Sequence, residues 1–211
     1  ANEIPLPFAG DRQVRDEDRH RDRQHRTEAP TAALCDIAAN TGYLFNGYAD
    51  ILGVRDGSLL AVDGGGTSLT TRLDYVDLSG LTERRIAADW QRDDMAGLRD
   101  YVLDEVKPTF VKIFSGWAER SRLDLADDPR FRRDYVMLLA SVPGAGQWVR
   151  AAAVPDAAAL DRARRWGDDV WNRVILAHGL TLPASWWCGD VLRPSAPREG
   201  SPAEPPLLPP S

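Results

Sequence analysis

The stretch RLDYVDLSGLTERRIA, residues 72–87, decides how the rest of the chain is read. Leu73, Tyr75 and Val76 make a short β-favouring run, and Asp77-Leu78-Ser79-Gly80 closes it with turn-forming residues. Thr82 stands where an N-cap would, ahead of a helix beginning Glu83-Arg84-Arg85-Ile86-Ala87. Strand, glycine turn and helix start in succession are the repeating unit of α/β folds, where a carboxylate ending a strand can face a crevice shared with its neighbours. Asp77 is such a carboxylate; the plainer alternative is that it hydrogen-bonds the backbone of its own turn.

Working forward, Met95, Leu98, Val102 and Val106 recur at helical spacing, with Tyr101 widening the stripe, and predict a helix over 93–106. Pro108 stops it, and TFVKIF (109–114) reads as a strand. Asp128-Pro129 starts a helix that yields to a strand over 134–142. Pro143-Gly144-Ala145-Gly146 then turns the chain into a strand over 147–154, giving an antiparallel hairpin. Asp156 caps a helix over 156–178, whose apolar face runs from Leu160 through Ala163, Gly167, Val170 and Trp171. His178 sits at its end as a donor or cation near the helix C-terminus, with Gly179 as the stop.

Working backward, Ser58 to Val62 is a strand behind the Asp56-Gly57 turn, and Asp63-Gly64-Gly65-Gly66-Thr67 reads as a flexible loop before the next strand. Tyr43, Leu44, Phe45 and Tyr48 are apolar anchors after Asn40-Thr41-Gly42, a turn or a helix cap, and TAALCDIA (31–38) reads as a first core strand. The expectation is an α/β fold, a mixed sheet flanked by helices with 72–78 in its interior, forming one layered domain over 29–193. Residues 1–28 read as a polar lead-in, a solvated helix with pairs such as Glu17/Arg21 and Asp22/Arg26. Residues 194–211, rich in Pro, Ser and Glu, read as a disordered tail.

With 211 residues, 43% of them hydrophobic, the chain can bury one ordinary core. A formal charge of −6 argues against a nucleic-acid partner. Lys107 and Lys112 are the only lysines among 26 basic residues, a bias best read as genomic base composition. No apolar run approaches the roughly 18 to 20 residues that span a bilayer, and no signal peptide is apparent at Ala1. Cys35 and Cys188 lie far apart without a CxxC or Cys/His cluster, and His20 and His25 are five apart, so no metal site is expected. The cysteines are two buried thiols or, outside the cytoplasm, one disulfide. The VDGGGT run (62–67) matches the hairpin by which actin-like sugar kinases contact nucleotide phosphates, but a second phosphate loop and the length for two lobes are missing. No cofactor is therefore expected, and the chain should not bind ATP.

In their order, several segments resemble the soluble C-terminal, extracytoplasmic domains of bacterial GT-C class membrane glycosyltransferases. That pattern has a strand ending in Asp before a small residue, then a strand ending Asp-Leu-x-Gly-Leu-Thr-(Asp/Glu)-x-x-Ile-Ala. A helix, Lys-Pro or Arg-Pro with a β run, a Trp, Phe-x-x-x-Tyr and a strand with Trp-Val-Arg follow. The chain supplies Cys35-Asp36-Ile37-Ala38, Asp77 to Ala87, Lys107-Pro108, Trp117, Phe131 to Tyr135 and Trp148-Val149-Arg150, over about residues 30–155. The insert from Tyr48 to Thr71 departs from the pattern. The resemblance implies a domain outside the membrane, attached to the membrane-embedded part of a polyprenyl-phosphate-sugar-dependent transferase. The catalytic carboxylates of that class lie between transmembrane helices, so no catalytic residue carries over.

Such a domain would be non-catalytic and would assist binding of an acceptor glycan in cell-envelope assembly. Asp36 and Asp77, each ending a strand, are expected side by side at one sheet edge. Tyr43, Trp117 and Trp148 are candidate sugar-contacting aromatics, with Tyr48, Trp186 and Trp187 behind them; core packing is the competing fate of each. A sugar-kinase fragment resting on Asp63 to Thr67, and a secreted interaction domain with no enzymatic past, are the alternatives.

Overall fold

Leu59 and Leu60, Phe110 and Val111, and Trp148 and Val149 are consecutive pairs in which both members are buried. Successive strand residues point to opposite faces, so these strands are covered on both sides. The computed structural model describes residues 37–114, 117, 122–140 and 144–172. The chain divides into two units, Ala1–Ala33 and Leu34–Ser211, and every described residue belongs to the second.

In chain order the elements are a π-helical turn Ala38–Tyr43 running into α1 (Leu44–Leu52), β1 (Ser58–Ala61), α2 (Gly64–Thr70), β2 (Asp74–Asp77), α3 (Arg84–Gln91) and α4 (Met95–Asp100). A second π-helical segment, Tyr101–Val106, continues α4. Next come β3 (Phe110–Ile113), a 3₁₀ turn Leu125–Asp127, α5 (Pro129–Asp134), β4 (Tyr135–Ala140), β5 (Gly146–Arg150), a 3₁₀ turn Ala151–Ala153 and α6 (Ala157–Val170). The sheet order is β2-β1-β3-β5-β4. β1 pairs in parallel with β2 and β3, whereas β5 pairs antiparallel with β3 and β4. The fold is α/β with a five-stranded mixed sheet, as the order of elements predicts.

Two apolar layers cover the sheet. On one face Leu44, Phe45, Tyr48 and Leu52 of α1 and Ala159, Ala163 and Val170 of α6 pack on Leu59, Phe110, Leu138 and Val149. On the other, Ile86 of α3, Leu98 and Val102 of the α4 helix and Phe131 of α5 pack on Leu60, Val111, Ile113, Tyr135 and Trp148. Glycine sets how close α1 and α6 come: a Cβ on Gly47 would overlap the Trp166 indole, and one on Gly167 would overlap the Tyr48 hydroxyl. The Trp166 indole N–H donates to Leu44 O at 3.1 Å, and the Tyr48 hydroxyl donates to Gln147 Oε1 at 2.7 Å.

The structure departs from the expected elements in five places. The strand 72–78 lies at an edge, because the chain leaves β2 through α3 and α4 to place β3 on the far side of β1. Ile37 and Ala38, the described end of the expected strand 31–38, are helical; the remainder lies outside the described residues. The apolar anchors Leu44, Phe45 and Tyr48 belong to α1, a helix not among those expected, which ends at Gly53 in the left-handed region (φ 71°). The triple glycine is not a loop but the start of α2. Finally, β5 stops at Arg150 and a 3₁₀ turn replaces the rest of the expected strand 147–154. The lead-in 1–28, Cys35, Asp36, His178, Trp186 to Cys188 and the tail from 194 lie outside the described residues.

Candidate functional site

Asp77 ends β2 with a side chain 1% exposed, and its oxygens close the turn that follows. Oδ1 accepts from the Ser79 N–H at 2.9 Å and from the Ser79 hydroxyl, and Oδ2 accepts from the Thr82 N–H at 2.9 Å and its hydroxyl at 3.3 Å. Gly80 sits in the turn at φ 78°, where a Cβ would meet the Ala87 backbone at 2.8 Å, so the turn lies flat on α3. Thr82 thus serves the turn, and Glu83 caps α3 by accepting from the Arg85 N–H at 3.4 Å. The carboxylate faces its own loop, the plainer of the two roles open to it.

The described aromatic candidates fall at three separate places. Tyr43 is half-buried, its ring 5.5 Å from Trp166 on the α1–α6 face. Trp117 stands against Trp90 at 5.6 Å, edge to face, and the Trp90 indole donates to Leu78 O at 2.8 Å, so both are tied to the Asp77 turn. Trp148, 5% exposed, is on the other side of β3, edge to face with Phe131 at 5.4 Å. Phe131 stacks on Tyr135 at 4.5 Å, and the Tyr135 hydroxyl donates to Pro108 O at 2.7 Å. Trp148, Phe131 and Tyr135 line a cavity of about 580 Å³ between α5 and the β4–β5 hairpin. Asp36 lies outside the described residues, so of the expected carboxylate pair only Asp77 is placed.

A second polar cluster occupies the crevice where the parallel strands β1 and β3 end. Lys112 is buried on β3, and its Nζ donates to Asn40 O at 2.8 Å, Asn40 Oδ1 at 2.7 Å and Thr41 Oγ1 at 2.6 Å. Burial pushes its ammonium down to about 8, with Asp63 pulling it back. Burial likewise raises the carboxyl of Asp63, which precedes α2 without capping it, and Lys112 lowers it in part. Tyr75 donates to Ala61 O at 3.0 Å, and burial, then Asp77 and Asp63, raise its phenol. All three Lys112 donors have acceptors, so the cluster is a clamp holding the π-helical turn 38–43 against β3. The signal in the sequence is one lysine inside an otherwise apolar strand, TFVKIF. In Asp63 to Thr67 the strands on either side run parallel and the glycines are helical, so the antiparallel kinase hairpin is not formed.

Among the described residues, no group of three His, Cys, Asp or Glu side chains gathers as a metal site would require. None of the described helices is long and apolar enough to cross a membrane. No protein-family model matches the chain, and neither a curated protein nor a solved structure shows significant similarity to it.

Proposed function

We propose that the chain is a non-catalytic, extracytoplasmic accessory domain of a membrane glycosyltransferase, where it assists acceptor-glycan binding. One observation carries this reading: the segments that resemble the GT-C outer domains, far apart in sequence, lock onto one another. Tyr135 holds the carbonyl of Pro108, Arg150 N–H donates to Thr109 O at 2.8 Å, and Phe131 lies between Tyr135 and Trp148. Trp117 reaches the Asp77 turn through Trp90. A motif whose described members serve one another's packing describes a fold.

The catalytic carboxylate and the lipid-phosphate site then belong to a membrane part beyond these residues. The test compares the chain with the product of the complete reading frame. Several apolar spans of about 20 residues upstream are expected, with sugar transfer from a polyprenyl-phosphate donor by the whole protein and none by the 211-residue chain. Turnover by the chain alone, or a complete frame without such spans, overturns the proposal.

A further inference from the structure

We infer that the chain pairs with a second copy of itself through the edge of β2, the two sheets joining across a twofold axis. The two edges of the sheet differ. At the β4 edge the ladder is irregular between Met137 and Leu139, and the Arg164 Nε of α6 donates to Met137 O at 3.0 Å. Both features blunt an edge against further strands. At the β2 edge the Asp74 and Leu78 N–H groups turn inward, donating to Gly57 O and Ala61 O of the β1 side at 2.9 Å each. Backbone groups of alternate strand residues point to opposite sides, so the N–H and C=O of Tyr75 point away from β1. No described strand lies there to receive them. Large exposed apolar side chains flank the same edge: Leu69 of α2, just before the strand, is 56% exposed, and Leu81, just after it, is 87% exposed.

The charges of this edge complement themselves. A twofold axis normal to the sheet reverses the strand direction and keeps the two faces, so β2 meets its mate antiparallel. With the axis at Tyr75, the two Tyr75 residues exchange both N–H···O bonds, the closely spaced pair of an antiparallel ladder. The start of each β2 then lies beside the end of the other. Asp74 opens the strand on the face of Val76, which packs in the same layer as Ile86 of α3. Arg84 begins α3 beyond the other end of the strand. Both residues are exposed, and neither has a partner among the described residues. Within one chain they stand at opposite ends of β2; the twofold carries the Arg84 of each copy toward the Asp74 of the other. It also lays the Leu81 turn of one copy against the Leu69 end of the other's α2, removing apolar surface from water. The Asp77 carboxylate already holds that turn, so burying Leu81 orders little more of the chain. A lone aspartate on an edge repels strands indiscriminately. A strand followed by a cation in the Arg84 position suits it, and the second copy supplies one.

The experiment is sedimentation equilibrium on the 211-residue chain, over roughly 1 µM to 1 mM, the range in which a small interface shows. The mass is expected to rise from 23.3 kDa toward twice that value with concentration. Asp74→Arg and Arg84→Asp each set like charges face to face and should each raise the dissociation constant by about tenfold or more. Reversing both in one chain restores the pairs with their signs exchanged and should return the constant to within about threefold of the parent. Leu81→Lys should leave a monomer across the whole range. All three positions are exposed, so thermal transitions close to that of the parent are expected for every variant. A parent that stays monomeric throughout, a dimer that ignores both single charge reversals, or a double reversal no tighter than the singles overturns the inference. A dimer abolished instead by Met137→Lys, beside β4, overturns it as well.

Discussion

Replacing Asp77 with alanine removes the acceptor on which the 77–82 turn closes. Four donors lose their partner: the Ser79 and Thr82 amides, both at 2.9 Å, and the two hydroxyls. The hydroxyls can rotate to water, whereas the amides are held by the turn. A hydrogen bond to an ionised acceptor contributes about 1.5–3 kcal/mol when buried, and the half-buried position of Ser79 and the exposed one of Thr82 lower each toward the bottom of that range. The expected loss is about 3 kcal/mol, which in a chain of this size lowers Tm by roughly 6–12 °C. Asp77→Asn keeps one carbonyl acceptor and should lose about half as much. Urea unfolding of the three proteins at one pH, with m-values compared, measures the difference. An alanine variant within about 0.5 kcal/mol of the parent would show that the carboxylate does not close the turn, and would reopen a ligand role for it.

Two further predictions concern the core. Alanine in place of Gly167 should gain about 1 kcal/mol from helix propensity, yet its Cβ overlaps the buried Tyr48 hydroxyl, so a net loss of about 1–3 kcal/mol is expected; a Gly167→Ala chain that melts higher than the parent refutes the close α1–α6 crossing. Because burial holds Lys112 near 8, below the ordinary lysine value, the folded state disfavours its ammonium, and the relief present at high pH is lost as pH falls through about 8. Unfolding free energy should therefore rise by about 2 kcal/mol between pH 7 and pH 9.5 relative to Lys112→Met, and parallel stability curves for the two proteins would contradict this.

Local signals located most elements. The β-favouring runs at Leu59–Leu60, Tyr75–Val76, Phe110–Ile113 and Trp148–Val149 all lie in strands, and the 3.6-residue stripe Met95, Leu98, Val102 marks the α4 helix. Asp128-Pro129 and Asp156 cap α5 and α6 as read, the aspartates accepting from Arg130 N–H at 2.9 Å and Ala159 N–H at 2.7 Å. α1 also carries a local mark: Leu44, Tyr48 and Leu52, with Phe45 and Ala49, repeat at i and i+4. The glycine run resisted in a different way. Three glycines argue for a loop on intrinsic preference, and α2 exists because it packs on the 38–43 turn, where Gly42 leaves room for the Thr70 hydroxyl.

Of the candidate site, Trp148 and the turn carboxylate were visible as residue types, but their roles were not. Whether an aspartate at a strand's end faces a crevice or its own turn depends on where Ser79 and Thr82 point, and only the closed turn decides that. Lys112 and Asn40 are 72 residues apart and carry no local mark of partnership. The same holds for Phe131, Tyr135 and Trp148, whose contacts depend on β4 pairing with β5 and α5 folding back over them. Hydrophobic periodicity and capping chemistry act within a few residues, so the sequence by itself determined most of the strands, the helices with a clear stripe or cap, and that the layers are α/β. Strand order, the edge position of β2, the helix at Gly64–Thr70 and the cavity beside Trp148 were decided by tertiary packing, because each depends on the faces that distant segments bury together, a free energy no local window contains.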